Sequence, residues 1–248
     1  MSQFDKYAPY YEIVYQSKNY KSEIKYILDC ISKETGDFGK YLLEFGCGSG
    51  GHIPFFLENN FDVSGIDLSN EMLSIAKDKF PDAHFYHGNI SDKKLNQTFD
   101  LIVSLYHVIN YLQSELDLSK TFRNASDHLK SGGLFAFDFW YGPAVLLDHP
   151  KNLDKSFSKD NIEVLRNTTP VMDYNKNTVQ VNFDFKILID GVLEHEFNES
   201  HLMKYLFFPE IEYHLTQNNF KILQCNSWMT TKPLSEDSWY GFILAKKE

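Results

Sequence analysis

A glycine-rich segment near residue 46 is the part of this sequence best suited to bind a ligand. Gly46, Cys47 and Gly48 follow a short apolar run at 41–45 and precede a stretch with helical character. A glycine turn between a strand and a helix lets the backbone approach a ligand closely and directs the N–H groups of the helix toward it. Asp67 comes about 20 residues later, where a carboxylate binds the ribose of a nucleotide. The arrangement predicts a nucleotide-like cofactor.

Two kinds of cofactor fit these glycines. Gly46, Gly48 and Gly51 satisfy the G-x-G-x-x-G pattern, so a nicotinamide-dependent oxidoreductase is one interpretation. Glu44 favours S-adenosylmethionine, because a carboxylate two residues before the first glycine can meet the amino group of a methionyl moiety. Asn89, in the His-Gly-Asn-Ile segment after the third predicted strand, supplies a polar group for an adenine edge. These features favour methyl transfer over hydride transfer.

Apolar runs alternate with helical segments through the first half of the chain, after a helical segment predicted at 4–34. Ser69 is placed as the N-cap of one helix, and 115–129 is predicted as another. The runs suited to buried strands occupy 41–45, 63–66, 83–86, 99–105 and 133–139. This order predicts βαβ units and an α/β fold with a doubly wound parallel sheet.

The pattern changes after about residue 141. Runs at 162–166, 178–189 and 192–197 are rich in β-forming residues, and Asp190-Gly191 is a strong hairpin signal. We therefore predict an antiparallel β insert that follows the fifth strand of the sheet. The final helix, strand, short connection and strand imply a reversed hairpin at the edge of the sheet.

The whole chain, 1–248, is predicted to be one domain, because nothing in the sequence marks a linker between two cores. The repeats and low-complexity segments that would indicate other architectures are not found. Its four parts are an N-terminal helical cap at 1–37, a cofactor-binding core at 38–140, an antiparallel β insert at 141–206, and a C-terminal helix and β-hairpin at 207–248.

Composition limits the class of partner. Hydrophobic residues make up 43% of the 248 positions, which is enough for a substantial core. A net charge of −10 makes nucleic acid a poor acceptor. Three widely spaced cysteines predict neither a disulfide framework nor a metal site. The sequence shows no signal peptide and no apolar run long enough for a bilayer, so we expect a cytoplasmic protein without a membrane partner.

Four motifs in order resemble those of class I S-adenosylmethionine-dependent methyltransferases. They are the segments 44–50 (EFGCGSG), 65–69 (GIDLS), 88–90 (GNI) and 99–104 (FDLIVS). The resemblance covers about residues 38–140 and implies a seven-stranded Rossmann-like sheet whose last strand is antiparallel. It implies that S-adenosylmethionine is bound by Glu44, Gly46, Cys47, Gly48, Gly50, Asp67, Leu68, Met72, Gly88, Asn89, Ile90 and Leu105.

A narrower resemblance relates most of the chain to bacterial nucleotide-sugar N-methyltransferases. The antiparallel insert supports it, together with the segments 11–15, 18–20, 104–112, 138–143 and 201–205. The resemblance implies that Tyr11 and Tyr20 help to close over the cofactor. It also implies that the insert shapes the acceptor site and a homodimer.

The same resemblance directs attention to two candidate catalytic residues. Tyr111 stands where amino-sugar enzymes place a histidine near the acceptor, and His107 lies one helical turn earlier. Because a sulfonium is an activated methyl donor, the protein must mainly align the acceptor with the methyl group and exclude water. A base helps a hydroxyl acceptor, whereas an amine needs only to arrive neutral. The candidate acceptor contacts are Trp140, Tyr141, His201 and Tyr205.

The acceptor is predicted to be a nucleotide-linked sugar or a similar precursor of a surface glycan, methylated on oxygen or nitrogen. A diphosphate would need a local basic set despite the acidic net charge. The candidates for that set are Lys18, Lys21, Arg166 and Lys204. Another small metabolite, such as an amino-acid derivative or an amine, remains open. A nicotinamide-dependent oxidoreductase and a non-catalytic binding protein are the remaining alternatives.

Overall fold

The computed structural model of the protein describes residues 8–36 and 38–248. Its helices are α1 (Ala8–Val14), α2 (Tyr20–Glu34), α3 (Ile53–Glu58), α4 (Asn70–Lys79), α5 (Glu115–His128), α6 (Gly142–Leu147) and α7 (Phe208–Gln217), with a 3₁₀ turn at Val108–Tyr111. Its strands are β1 (Tyr41–Phe45), β2 (Asp62–Asp67), β3 (His84–His87), β4 (Phe99–Ser104), β5 (Leu129–Trp140), β6 (Leu153–Lys159), β7 (Ile162–Asp173), β8 (Thr178–Ile189), β9 (Val192–Lys204), β10 (Phe220–Ser227) and β11 (Tyr240–Lys247).

Seven strands form the central sheet, in the order β10-β11-β5-β4-β1-β2-β3. The pairs among β1 to β5 are parallel, and β11 runs antiparallel to both of its neighbours, β5 and β10. This is the predicted doubly wound α/β sheet with a reversed last strand, and the fold prediction is confirmed. Apolar side chains on the two faces of the sheet build separate clusters, which helices cover.

The parallel strands end at one edge of the sheet, where a ligand site is expected. β1 ends at Phe45, directly before the glycine turn, and β2 ends at Asp67. β4 ends at Ser104 and β5 at Trp140. The segments that follow these strands therefore meet above the sheet, although they are far apart in sequence.

The insert is a four-stranded antiparallel sheet in the order β6-β7-β8-β9. The sequence predicted three of its strands, but β6 was missed, because its alternation of charged and small residues is that of a solvated segment. Side chains alternate across a strand, so Arg166 and Thr168 share one face of β7. Phe183 and His201 extend that face, since Thr168 pairs with Phe183 and Val181 with His201.

The predicted helix at 4–34 is wrong as a single element. Residues 4–7 lie outside the described residues, and the remainder forms α1 and α2 with a break at 15–19. Asn19 is the N-cap of α2, because its side chain accepts a hydrogen bond from Ser22 N at 3.1 Å. α1 packs on the insert through Ile13 and Val14, whereas α2 packs on the central sheet through the stripe that contains Ile24. The N-terminal segment thus connects the two sheets.

Within the described residues, the longest helix is α2, with 15 residues. No helix in that part of the chain is long and apolar enough to cross a membrane.

Candidate active site

A cavity of about 1100 Å³ lies between the carboxyl edge of the central sheet and the inner face of the insert. The glycine turn forms one end, the segment after β4 forms the floor, and β6 to β9 form the opposite wall. Most of the residues predicted from the sequence meet here. Those that line the cavity are Tyr11, Tyr20, Gly46, Cys47, Gly48, Asp67, Leu68, Met72, Asn89, Ile90, Leu105, His107, Tyr111, Trp140 and His201.

Asp67 organises the glycine turn and the following helix at once. Its Oδ2 accepts a hydrogen bond from Gly48 N at 2.8 Å, and its Oδ1 accepts one from Ser69 N at 2.9 Å. Gly46 and Gly48 have φ values of 72° and 53°, which favour glycine. Burial raises the pKa of Asp67, although its backbone hydrogen bonds oppose the shift. Each carboxylate oxygen retains the capacity to accept a further hydrogen bond from a ligand.

The donors and walls at this end fit S-adenosylmethionine. A Cβ on Gly48 would meet no atom within 4 Å, so the backbone there is open to a ligand. Met72, Ile90 and Leu105 supply buried apolar surface beside the polar side chain of Asn89. An adenosyl group requires this combination of an apolar slot, a ribose carboxylate and a polar edge.

Five predicted contacts do not line this cavity, and their roles at the site stay predictions: Glu44, Gly50, Gly88, Tyr141 and Tyr205. A Cβ on Gly50 would lie 2.8 Å from the Phe80 ring, and one on Gly88 would lie 2.7 Å from Lys93, so both glycines serve packing. Tyr205 is 0% exposed in an apolar cluster under the insert.

Tyr141 and Glu44 are held away from the cavity for different reasons. Tyr141 precedes α6 as its N-cap residue and packs edge-on against Phe139. Glu44 is 1% exposed, and its Oε1 pairs with Nδ1 of His52 at 2.8 Å. Its Oε2 is buried without a hydrogen-bond partner among the described residues. Glu44 therefore acts on the site through His52.

His52 joins two carboxylates at the end of the cavity beside the glycine turn. Its Nδ1 faces Glu44, and its Nε2 lies 2.9 Å from Glu23 Oε2. Glu23 also pairs with Lys18, whose ammonium lies 4.5 Å from the Tyr20 ring centroid. Burial opposes the charged form of His52, but the two carboxylates outweigh it and raise the pKa of His52 above its usual value. No motif or spacing in the sequence predicts this cluster.

A pH-dependent stability is expected from this cluster. A raised pKa in the folded state stabilises the protein below the unfolded pKa of about 6.5, and this contribution is lost as the pH rises through the folded pKa. His52→Gln should lower the melting temperature by roughly 10 °C at about pH 6. The difference in melting temperature between His52→Gln and the unsubstituted protein should become smaller toward about pH 9. Thermal melts of both proteins across this range measure it.

The exposed His84 provides the control for that experiment. His84→Gln should leave the melting temperature unchanged at every pH, because His84 lies at the exposed start of β3. A His52→Gln deficit that stays constant with pH would contradict a protonated His52.

His107 is held at the floor of the cavity in a strained conformation. Tyr106 and His107 have φ values of 63° and 64°, which cost non-glycine residues about 1–3 kcal/mol each. The backbone N of His107 donates to both oxygens of Asp138, at 3.1 and 3.2 Å, and its Nδ1 lies 2.5 Å from Asp138 Oδ2. The ring stacks on Tyr240 with centroids 4.6 Å apart. These contacts fix the imidazole and leave Nε2 as its reactive atom.

Asp138 is charged at neutral pH although it is only 1% exposed. Burial favours its neutral form, but the charge and hydrogen bonds of His107 outweigh burial and hold the pKa of Asp138 below its usual value. The pair has the composition of an imidazole base with an orienting carboxylate.

Tyr111 and His201 meet at the side of the cavity formed by the insert. The Tyr111 hydroxyl lies 2.7 Å from His201 Nδ1, and His201 Nε2 lies 3.2 Å from Glu199 Oε2. Burial, with the nearby charges of Tyr15, Glu199 and Asp67, raises the pKa of Tyr111. Tyr111 is therefore a neutral phenol at neutral pH.

Arg166 is a cation on the wall that the insert contributes to the cavity. Its guanidinium carbon lies 5.3 Å from the Phe157 ring centroid and 5.2 Å from the Phe183 ring centroid. Its Nε and the hydroxyl of Thr168 are buried without hydrogen-bond partners among the described residues. Lys155 lies opposite Arg166 in the register of β6 and β7, and it lines the same cavity.

The other three basic residues predicted to bind a diphosphate each form an ion pair with a carboxylate. Lys18 pairs with Glu23, and Lys21 pairs with Glu58. Lys204 is paired with both Glu115 and Glu210. Lys21 and Lys204 also lie outside the cavity lining, which corrects their prediction as diphosphate contacts.

Comparison with known proteins agrees with this geometry. Residues 42–133 match a family model described as a methyltransferase domain. A dTDP-3-amino-3,4,6-trideoxy-alpha-D-glucopyranose N,N-dimethyltransferase from Streptomyces venezuelae is 28% identical over 209 residues, which is 84% of this chain and 86% of that protein. The crystal structure of a S-adenosylmethionine-dependent methyltransferase from Clostridium acetobutylicum has a TM-score of 0.80 and 26% identity over 99% of both chains. An amino pentose methyltransferase from Micromonospora echinaspora shares the fold, with a TM-score of 0.79 and 21% identity over 96% of both chains.

The matched domain and the fold are those of S-adenosylmethionine-dependent methyltransferases. The prediction of such an enzyme, with S-adenosylmethionine as its cofactor, is confirmed. The alternative of a nicotinamide-dependent oxidoreductase, which the glycines left open, is set aside by this match.

Proposed function

We propose that this enzyme transfers a methyl group to the amino nitrogen of a nucleotide-linked sugar. One observation carries the proposal: a single cavity runs from the glycine turn, past His107, to Arg166 on the insert. Its volume of about 1100 Å³ is larger than that of a typical single-ligand pocket, which favours a cofactor and an acceptor bound together. The similarity to a dTDP-amino-sugar N,N-dimethyltransferase supports the same acceptor class.

At the cofactor end, the protein binds and orients. Asp67 accepts hydrogen bonds from ribose hydroxyls, and Asn89 contacts the adenine edge between the apolar walls at Met72 and Ile90. Tyr20 lies over the glycine turn, since a Cβ on Gly51 would lie 2.6 Å from its ring. When bound, S-adenosylmethionine supplies an activated methyl group on a positively charged sulfur. The walls exclude water from that group.

At the acceptor end, His107 receives the proton that the amine loses. Asp138 Oδ2 lies against Nδ1 of His107, so that Nε2 faces the cavity as the base. Arg166, with its unpaired Nε, meets the phosphate groups, and the rings of Phe157 and Phe183 hold its guanidinium in place. Trp140 forms the wall beside the reacting atoms.

Removal of the Asp67 carboxylate should weaken cofactor binding. Asp67→Ala is expected to cost about 2 kcal/mol, or roughly 30-fold in dissociation constant, because a charge-assisted hydrogen bond to ribose is lost. The melting temperature of the ligand-free protein should also fall, since Gly48 N and Ser69 N lose their acceptor. Calorimetric titration and thermal melts measure the two effects.

The exposed Asp62 at the start of β2 gives a matched control. Asp62→Ala should leave both the cofactor affinity and the melting temperature unchanged. An Asp67→Ala protein with unaltered affinity for S-adenosylmethionine would assign Asp67 a purely structural role.

The proposed function is tested by methyl transfer to dTDP-amino sugars. Purified enzyme and S-adenosylmethionine are incubated with 3-amino and 4-amino dTDP-sugars, the corresponding free amino sugars and a set of amino-acid amines. Release of the demethylated cofactor with the dTDP-amino sugars alone supports the proposal. Transfer only to amino-acid derivatives or other amines would replace the acceptor class, and no transfer to any of them would favour a non-catalytic binding protein.

Three further expectations remain proposals. A homodimer is favoured by apolar side chains that the insert leaves exposed in the single chain, among them Leu153, Val171, Val192 and Leu193. Sedimentation analysis tests it. A cytoplasmic location and an acceptor other than nucleic acid follow from the free cysteines and the negative net charge.

A further inference from the structure

An ion pair between Lys18 and Glu23 lines the cavity beside the glycine turn. Glu23 lies in the first turn of α2, and Lys18 precedes that helix by two residues. The Lys18 side chain is 11% exposed and that of Glu23 is 15% exposed, so both charges are largely removed from water. Burial costs much of the free energy that such pairing returns, so the pair contributes little to stability. At the wall of a cavity, both charges can instead bind a ligand.

The two oxygens of the Glu23 carboxylate have different surroundings. Among the described residues, Lys18 Nζ donates to Oε2, and His52 Nε2 lies 2.9 Å from the same atom. Since both partners meet Oε2, Oε1 retains the capacity to accept a hydrogen bond from a molecule in the cavity. Burial opposes the charged form of Glu23, but the hydrogen bonds and charges of His52 and Lys18 outweigh it and hold the pKa of Glu23 below its usual value. The free oxygen therefore belongs to an anion.

Lys18 Nζ also retains donors for a ligand. An ammonium carries three N–H groups, and among the described residues Nζ donates to one carboxylate. The rings of Tyr20 and Tyr106 flank it, with centroids 4.5 and 4.4 Å from Nζ, and ring faces hold a cation in position. Since Tyr20 lies over the glycine turn and Tyr106 precedes His107, the ammonium lies between these two parts of the cavity.

We propose that Lys18 and Glu23 bind the amino-acid part of S-adenosylmethionine, with Glu23 Oε1 accepting from its ammonium and Lys18 Nζ donating to its carboxylate. Each ion of the ligand then meets an opposite charge while the Lys18–Glu23 pair stays intact. Glu44 is the residue predicted from sequence for the ammonium, but it is 1% exposed and pairs with His52. Glu44 instead orients His52, which holds Glu23. This assignment concerns the cofactor and does not depend on the acceptor.

Calorimetric titration with three probes, in the absence of any acceptor, tests this assignment. S-adenosylmethionine carries both ions, its decarboxylated form carries only the ammonium, and methylthioadenosine carries neither. Glu23→Gln should raise the dissociation constants of the first two probes by about 10–100-fold. Lys18 holds the glutamine carbonyl at the position of Oε2, so the amide NH₂ group faces the ammonium. Methylthioadenosine should bind to this variant with unchanged affinity.

Lys18→Met separates the two ions of the ligand. Methionine keeps an apolar chain beside the rings of Tyr20 and Tyr106 but removes the cation. The dissociation constant of S-adenosylmethionine should rise by about 10–100-fold, because its carboxylate loses the charged donor. The decarboxylated form and methylthioadenosine should not bind more weakly. Lys21→Met and Glu58→Gln, at an exposed ion pair outside the cavity lining, are the matched controls and should change no affinity.

Three results would overturn the assignment. Equal losses of affinity for all three probes would mean that the ion pair supports the fold of the site and does not bind the ligand. Unchanged affinity of Lys18→Met for S-adenosylmethionine would remove the carboxylate contact, and this measurement decides even if Glu23→Gln does not fold. A Glu44→Gln protein that binds both ammonium-bearing probes weakly, while Glu23→Gln binds them normally, would place the ammonium at Glu44.

Discussion

His107→Ala is expected to lower the turnover number by about 10²–10⁴-fold while the dissociation constant of S-adenosylmethionine stays within about 2-fold. In the proposed function the imidazole receives the amine proton, and Asp138 contacts His107 at the backbone N and at Nδ1. Alanine removes the base without touching the glycine turn or Asp67. Steady-state kinetics with a dTDP-amino sugar, together with calorimetric titration of the cofactor, measure the two quantities.

Two further variants sharpen this experiment. Asp138→Asn should also reduce turnover, because the imidazole loses the carboxylate that orients it at Nδ1. His195→Ala, at an exposed histidine of the insert, should retain full turnover and is the control. Near-normal turnover in His107→Ala would show that the amine arrives neutral and that the site acts by positioning alone.

Arg166→Met should raise KM for a dTDP-amino sugar by about 100-fold, or nearly 3 kcal/mol. Methionine keeps an apolar chain near Phe157 and Phe183 but removes the guanidinium proposed to bind the phosphates. The turnover number should change much less, because a phosphate contact is the same before and during methyl transfer. Initial-rate measurements over a range of acceptor concentrations separate the two parameters.

The free amino sugar provides the internal control for Arg166. Since it carries no phosphate, its kcat/KM should be the same in Arg166→Met and in the unsubstituted enzyme. Lys186→Met, which removes an exposed cation paired with Glu196, should alter neither acceptor. An equal loss for the nucleotide-linked and the free sugar would mean that Arg166 supports the insert rather than binding phosphate.

The cofactor half of the site could be predicted from sequence because its geometry is local. The glycine turn, Asp67 and Asn89 each lie at or just after the end of a parallel strand, and parallel strands end at the same edge of the sheet. Their positions in the fold therefore follow from the order of elements. Glu44 is the exception in this half. Its partner, His52, lies on the helical side of the turn, and no spacing rule predicts that the two side chains pair.

The acceptor half could be predicted only in part, because it depends on contacts between distant segments. The resemblance to sugar methyltransferases indicated His107, Tyr111 and His201. It did not indicate Asp138 as the partner of His107, nor Glu199 as the partner of His201. Tyr205 was predicted as an acceptor contact from its place near His201, but it is fully buried in an apolar cluster with Val181 and Met203. Its burial depends on packing between distant segments, which the sequence does not show.

The stacking of Tyr240 on His107 has a consequence for the order in which the enzyme is made. Tyr240 begins β11, and β11 fits between β5 and β10, so the support of the base comes from the last strand of the sheet. The cofactor end is built from short-range units that leave the ribosome first. During synthesis, the residues of the glycine turn and Asp67 thus leave the ribosome well before Tyr240, which supports the imidazole of His107.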